Sequence, residues 1–157
     1  MKISFWTIGK AHDTYIKEGV ADFTKRVSKY FSVEWNIIPV PKAAATMSET
    51  ELKKREAEII KQHLKQDDFL VVLDEKGKQF TSPELADFLQ KRALDRTKKI
   101  VFLIGGAYGT DEEILNISKA KWSLSKLTFP HQLVRLILAE QVYRACTILH
   151  HEKYHHQ

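Results

Sequence analysis

Short apolar runs alternate with helix-period segments along the whole chain, and this alternation restricts the fold more than any other feature. Residues 2–8 (KISFWTI) read as a strand, and residues 13–30 carry Ile16, Val20, Phe23 and Val27 on one helical face. A second strand covers residues 33–40 (VEWNIIPV), closed by Pro39 and Pro41. After the loop KAAATM, Ser48 and Glu51 form a capping box that starts a charged helix running to Gln66. Residues 69–73 (FLVVL) are continuously apolar, as expected of a strand covered on both faces. Ser82 and Pro83 open a third helix with Leu85, Phe88 and Leu89 inward. A further two-sided strand, residues 100–104 (IVFLI), stops at GGAYG, and Thr110 with Glu113 forms a second capping box. Residues 122–127 are the fifth strand, and a long helix follows Pro130. Strict β-α alternation predicts an α/β fold, a five-stranded parallel sheet with helices on both faces. With no repeat, low-complexity tract or Gly/Ser linker, residues 1–157 read as one domain.

Composition narrows the function classes. No apolar run reaches the roughly 18 residues of a membrane span, and the first residues read as a strand, not a secretion signal. A lone cysteine, Cys146, excludes an internal disulfide framework and paired-cysteine zinc sites, and it reads as a small buried residue. Cytoplasmic residence is the expectation. The formal net charge of +5 leans towards a polyanionic partner, although basic proteins without one are common.

In parallel sheets of this kind, ligands bind beyond the carboxyl ends of the strands. Three such ends stand out. Leu73-Asp-Glu-Lys-Gly77-Lys is either a polar turn or part of a site. Gly105 and Gly106 allow a ligand close approach to backbone, or simply serve a turn. The segment matches neither GxGxxG nor a P-loop. Leu124-Ser125-Lys126-Leu127-Thr128-Phe129-Pro130 offers backbone polar groups and apolar side chains without a glycine-rich anion cradle. That combination suits a nucleoside-like ligand better than a diphosphate.

The last helix carries polar groups that a core helix does not need. At about 100° per residue, His131, Gln132 and Arg135 share one sector, while Glu140, Arg144 and Thr147 share the opposite one. Glu140 and Arg144 stand at i, i+4, the spacing of an ordinary ion pair. The remaining surface is apolar nearly all round, so it should be buried nearly all round. One sheet face cannot cover it, and a second copy of the chain is the simplest partner. The histidine-rich tail, HHEKYHHQ, reads as a metal chelator, an expression remnant or a functional terminus. It lacks six consecutive histidines, and no carboxylate or cysteine cluster supports a metal, so none is assigned.

Four segments, LDEKGK, FLIGGAYG, LSKLTFPHQLVR and AEQVYRACTILHHEKYHH, stand in the order seen in a known family. The chain resembles the ribosomal RNA large-subunit methyltransferase H group of the SPOUT class over essentially its whole length. One departure is Thr110, where an apolar residue is expected. The resemblance implies a carboxyl-terminal trefoil knot, a feature that periodicity does not suggest. It also implies a homodimer that uses S-adenosyl-L-methionine to methylate N3 of a pseudouridine in large-subunit (23S) rRNA, within assembled ribosomes. Leu73, Gly105, Gly106 and residues 124–130 are then expected to hold the cofactor. His131, Arg135, Glu140, Arg144, Tyr154 and His155 are the candidates for catalysis: Arg135 and Arg144 for RNA or anion binding, Tyr154 and His155 for positioning the base, with His155 able to remove a proton. The tail is expected to fold over the cofactor site only in the dimer, or with RNA bound. A non-enzymatic RNA-binding module and a flavodoxin-like nucleotide binder are the alternatives. Saturable cofactor binding separates the enzyme from both.

Overall fold

A computed structural model describes residues 1–156. The chain runs β1 (Lys2–Ile8), α1 (Thr14–Val27), β2 (Ser32–Ile38), α2 (Glu49–His63), β3 (Phe69–Gln79), α3 (Ser82–Leu94), β4 (Lys99–Ile104), α4 (Glu112–Ile117), β5 (Ala120–Ser123) and α5 (His131–Leu149). All named pairings are parallel, and the strand order is β2-β1-β4-β3-β5. The five-stranded α/β architecture expected from the alternation is present.

The two-residue period of each strand sorts the core into two layers. Ile3 and Phe5, Val71, and Ile100 and Phe102 pack with Leu85 and Leu89 of α3 and with Leu138, Val142 and Cys146 of α5. On the other face Trp6, Leu70, Val72, Val101 and Leu103 pack with Ala57 and Ile60 of α2 and Ile114 of α4. The central strands therefore bury both faces, which is why FLVVL and IVFLI carry no polar alternation. Cys146 is fully buried, and burial pushes its thiol up to about 12, so it stays protonated and inert as a nucleophile.

Local chemistry moves several element ends from where the sequence alone puts them. Thr81, not Ser82, caps α3: its hydroxyl accepts from the Glu84 N–H while the Glu84 carboxylate accepts from the Thr81 N–H. Asp111, not Thr110, caps α4. Ser48 does cap α2, accepting from the Glu51 N–H. The fifth strand ends at Ser123. Residues 124–130 then form a loop, because Ser125 draws the backbone into a turn by accepting from the Leu127 N–H.

The largest departure is in β3, which continues past Leu73 to Gln79. Both Leu73 and Lys78 register with Trp122 of β5, so residues 74–77 arch outward and return to the same strand. A Cβ on Gly77 would lie 2.7 Å from the Lys121 carbonyl carbon and from the Trp122 nitrogen. Only glycine permits that approach.

Candidate functional site

The carboxyl ends of β3, β4 and β5 surround a cleft of about 440 Å³. Leu73, Gly105, Gly106 and residues 124–129 line it, as expected from the three strand ends, whereas Pro130 stands outside as the N-cap of α5. Asp74, Glu75, Lys76, Ile104, Gly109, Trp122, Ser123 and Val134 also line it and were not anticipated. The charged trio was legible as the DEK inside LDEKGK. What hid its position was the arch, which bends these residues back over the cleft.

The cleft walls are tied together by one contact. His131 Nε2 lies 2.8 Å from the Gly105 carbonyl oxygen, so the neutral ring donates there and joins the first turn of α5 to the β4 end. Burial lowers the His131 pKa below its ordinary 6.5, against the raising effect of the bond to Gly105 and with Arg135 lowering it further. His131 is thus a neutral strut at physiological pH. Gly106 is braced from behind: a Cβ there would lie 2.5 Å from both carboxyl oxygens of Glu56 on α2. An added side chain at Gly106 therefore collides with α2, and a larger residue does not report cleft filling alone.

A second polar cluster forms at the other half of α5. Glu140 Oε1 accepts from Arg144 at 3.1 and 2.7 Å and from the Tyr154 hydroxyl at 3.0 Å, while Gln141 donates to its other oxygen. The Arg144 guanidinium sits 4.7 Å from the centre of the Tyr154 ring, which also packs 4.7 Å from Tyr143. Tyr30 donates to Glu152 at 2.7 Å. Within the single chain these contacts fold the tail back on its own α5 and on the turn after α1, away from the cleft. His155 completes the segment, with a buried Nδ1 that has no partner among the described residues. Burial and the hydrogen bond to Glu140 raise the Tyr154 pKa, keeping that phenol protonated.

Arg135 departs from its expected role in anion binding. The side chain is fully buried, and its Nη1 donates to the Lys10 carbonyl at 2.8 Å. Gln132 accepts from the Asp13 N–H at 2.9 Å and donates to the Ala11 carbonyl. Together they fasten the loop between β1 and α1. Burial lowers the Arg135 pKa and, with Arg135 and Lys17 nearby, that of His12 as well. A helical wheel places these residues correctly on one sector but cannot say that a loop covers it.

Cleft and cluster do not meet within one chain. The cleft takes only Val134 from α5, and Glu140 stands six residues further along, about 9 Å at 1.5 Å per residue. Among the described residues no group of three or more His, Cys, Asp or Glu converges as a metal site, and no helix is long and apolar enough to cross a membrane.

Comparison with known proteins agrees over the full length. The family model described as "Predicted SPOUT methyltransferase" matches residues 1–155. A protein of Cytophaga hutchinsonii named ribosomal RNA large subunit methyltransferase H is 47% identical, over 99% of this chain and 100% of its own length. Relatives of the same name from Parabacteroides distasonis and Acetivibrio thermocellus are 43% and 42% identical, the first covering 100% of both chains and the second 99% of both. The fold, the three-sided cleft and this likeness over the whole chain place the protein in the SPOUT methyltransferase family, among the ribosomal RNA large subunit methyltransferases H.

Proposed function

We propose that this chain is an S-adenosyl-L-methionine-dependent methyltransferase acting on N3 of a pseudouridine in large-subunit rRNA, as a homodimer. The observation that carries the reading is the cleft at the ends of β3, β4 and β5 in a chain whose full-length relatives are named ribosomal RNA large subunit methyltransferase H. Its volume falls in the ordinary range for small-ligand sites, roughly 300–1,000 Å³. Leu73, Leu124 and Phe129 offer apolar walls for an uncharged ring, and the Gly105–Gly106 backbone can approach it closely. Asp74 and Glu75 suit a cationic ligand, and Lys76 and Lys126 suit its carboxylate. These residues fit the cofactor. The trefoil knot belongs to the same proposal, supported by the match of residues 1–155 to the SPOUT family model.

When bound, the cofactor supplies a methyl group already activated on a sulfonium, which leaves the protein to align the nucleophile, exclude water and handle one proton. N3 of pseudouridine is an imide nitrogen, whose proton must leave before its lone pair can attack. Glu140 holds Arg144 and Tyr154 in one orientation, so Arg144 presents a fixed cation to a phosphate or to the developing imide oxygen. Tyr154 stays protonated and positions the base through its hydroxyl and ring. His155 is the group suited to accept the proton. His131 and Arg135 act one step back, holding the cleft wall and the β1–α1 loop.

The gap between cleft and cluster is the reason for two subunits. Leu133, Leu136 and Ile137 on the first turns of α5 are only half-buried, and Leu127 at the cleft rim is 72% exposed. A two-fold partner packed on this face covers them and brings its Glu140–Arg144–Tyr154 cluster to the first subunit's cleft. Calorimetry with S-adenosylmethionine tests the site directly. Saturable binding that is lost in a folded Val134→Trp protein is expected, and unchanged affinity in that variant would remove the ligand from this cleft.

A further inference from the structure

We propose that Glu56 is a positioning residue for the cofactor: its carboxyl, seated behind Gly106, holds the 105–109 loop in binding shape only while it carries a proton. This rests on the reading of the cleft given above. Glu56 lies on α2 and is only 5% exposed. Among the described residues neither of its oxygens takes part in a hydrogen bond, and the neighbouring face of α2, through Ala57 and Ile60, packs in the apolar layer with Ile8, Ile38, Leu103 and Ile114. Its carboxyl meets the loop at one place. Both oxygens lie 2.5 Å from the position that a Cβ on Gly106 would fill. Gly106 is at the same time a wall of the cleft, and the adjacent Gly105 carbonyl is the one fixed by His131. Carboxyl, loop backbone and cleft are thus three successive layers.

The chemistry of a carboxyl in that place differs sharply between its two forms. As a neutral acid it fits against an apolar Cα and costs little. As a carboxylate it lacks hydrogen bonds in a poorly solvated spot, which is costly. The nearest relief is the row of N–H groups in the glycine loop or water admitted behind it. Either response displaces Gly106 and with it the cleft wall. Burial raises the Glu56 pKa to about 7, and Lys53, one turn earlier on α2, is the one charged group that acts against it. The exchange between the two forms therefore falls at neutral pH.

Two measurements test this, one with ligand and one without. Calorimetry with S-adenosylhomocysteine, the demethylated cofactor, should show affinity falling up to about tenfold between pH 6 and pH 8, the limit for one linked proton with this midpoint. Glu56→Gln, which keeps the neutral shape, should bind as the wild type does at pH 6 and stay flat across the range. Without ligand, the Gly106 amide resonance should titrate with the midpoint of the Glu56 carboxyl carbon in wild type and not move in Glu56→Gln. A wild-type affinity independent of pH would overturn the proposal while leaving the cleft assignment intact. So would a Glu56→Gln protein that gains thermal stability at pH 8 yet keeps the wild-type binding profile, because Glu56 would then be structural only. Absence of binding by both proteins at every pH would overturn the cleft reading and this proposal with it, even if Gly106 titrates.

Discussion

The Tyr154 hydroxyl reaches Glu140 at 3.0 Å across 14 residues, and the same carboxylate oxygen holds Arg144 at 2.7 Å. One carboxylate thereby fixes two groups that the proposed chemistry needs, and does so before any partner arrives. Replacing it should uncouple them. Glu140→Gln keeps an oxygen that accepts from Arg144 and Tyr154 but removes the charge that Arg144 faces and the acceptor used by Gln141, and should lower kcat more than it raises KM for the cofactor. Its stability loss should be modest, about 1–2 kcal/mol, because the pair is only partly buried. Steady-state kinetics with thermal unfolding checks both.

Deleting residues 153–157 should leave dimer and cofactor binding largely intact while abolishing methyl transfer to ribosomes. Tyr154 packs on Tyr143 and Arg144, so a small drop in Tm is expected as well. Gln157 lies outside the described residues, and the prediction turns on Tyr154 and His155. Wild-type turnover by the truncated protein would take the tail out of the mechanism.

Subunit mixing tests the shared site. A Val134→Trp chain lacks a usable cleft, and an Arg144→Ala chain lacks the cluster. Each homodimer should be inactive, whereas a mixed dimer assembles one site from the intact cleft of one chain and the intact cluster of the other. Recovered activity, up to about half that of wild type, is the expected outcome. Mixed dimers with no activity would place the cleft and its cluster in the same chain.

Gly106 and Glu56 should be energetically coupled. Gly106→Ala forces a Cβ to within 2.5 Å of the carboxyl and should cost about 1–3 kcal/mol. Most of that cost should vanish in a Glu56→Ala background, as a double-mutant cycle by denaturant unfolding would read. Additive losses would contradict the contact.

How far the sequence reveals this depends on the kind of interaction. Periodicity locates β1, β4 and the inward faces of α1 and α3, because local spacing alone decides them. The cleft wall at Leu73, Gly105 and 124–129 was legible because parallel sheets put sites at strand ends. The arch of residues 74–77, the brace of Glu56 behind Gly106 and the burial of Arg135 under the β1–α1 loop were not. Each depends on segments brought together from distant parts of the chain. A helical wheel shows Arg135 as a polar sector, and only the packed structure shows what lies on it.

Stability should depend on pH in two opposed ways. His131 and His12 have folded-state pKa values below the ordinary 6.5, so the stability they lend is present above that value and lost as pH falls through their folded values. Glu56 has the opposite sign: its raised value means stability present below its ordinary 4.5 is lost as pH rises towards about 7. Thermal unfolding of Glu56→Gln against wild type should therefore show a difference that grows from pH 5 to about pH 7 and levels off above it. In His131→Asn the loss on acidification from pH 7 to pH 5 should shrink.

The central claim is tested most directly by following the methyl group. Ribosomes lacking the modification are incubated with the protein and methyl-labelled S-adenosylmethionine, and the large-subunit rRNA is digested and its nucleosides identified by mass spectrometry. The account predicts label in N3-methylpseudouridine, absent when the Val134→Trp protein is used. Label in any other nucleoside, or none in rRNA from a protein that binds the cofactor, would contradict it.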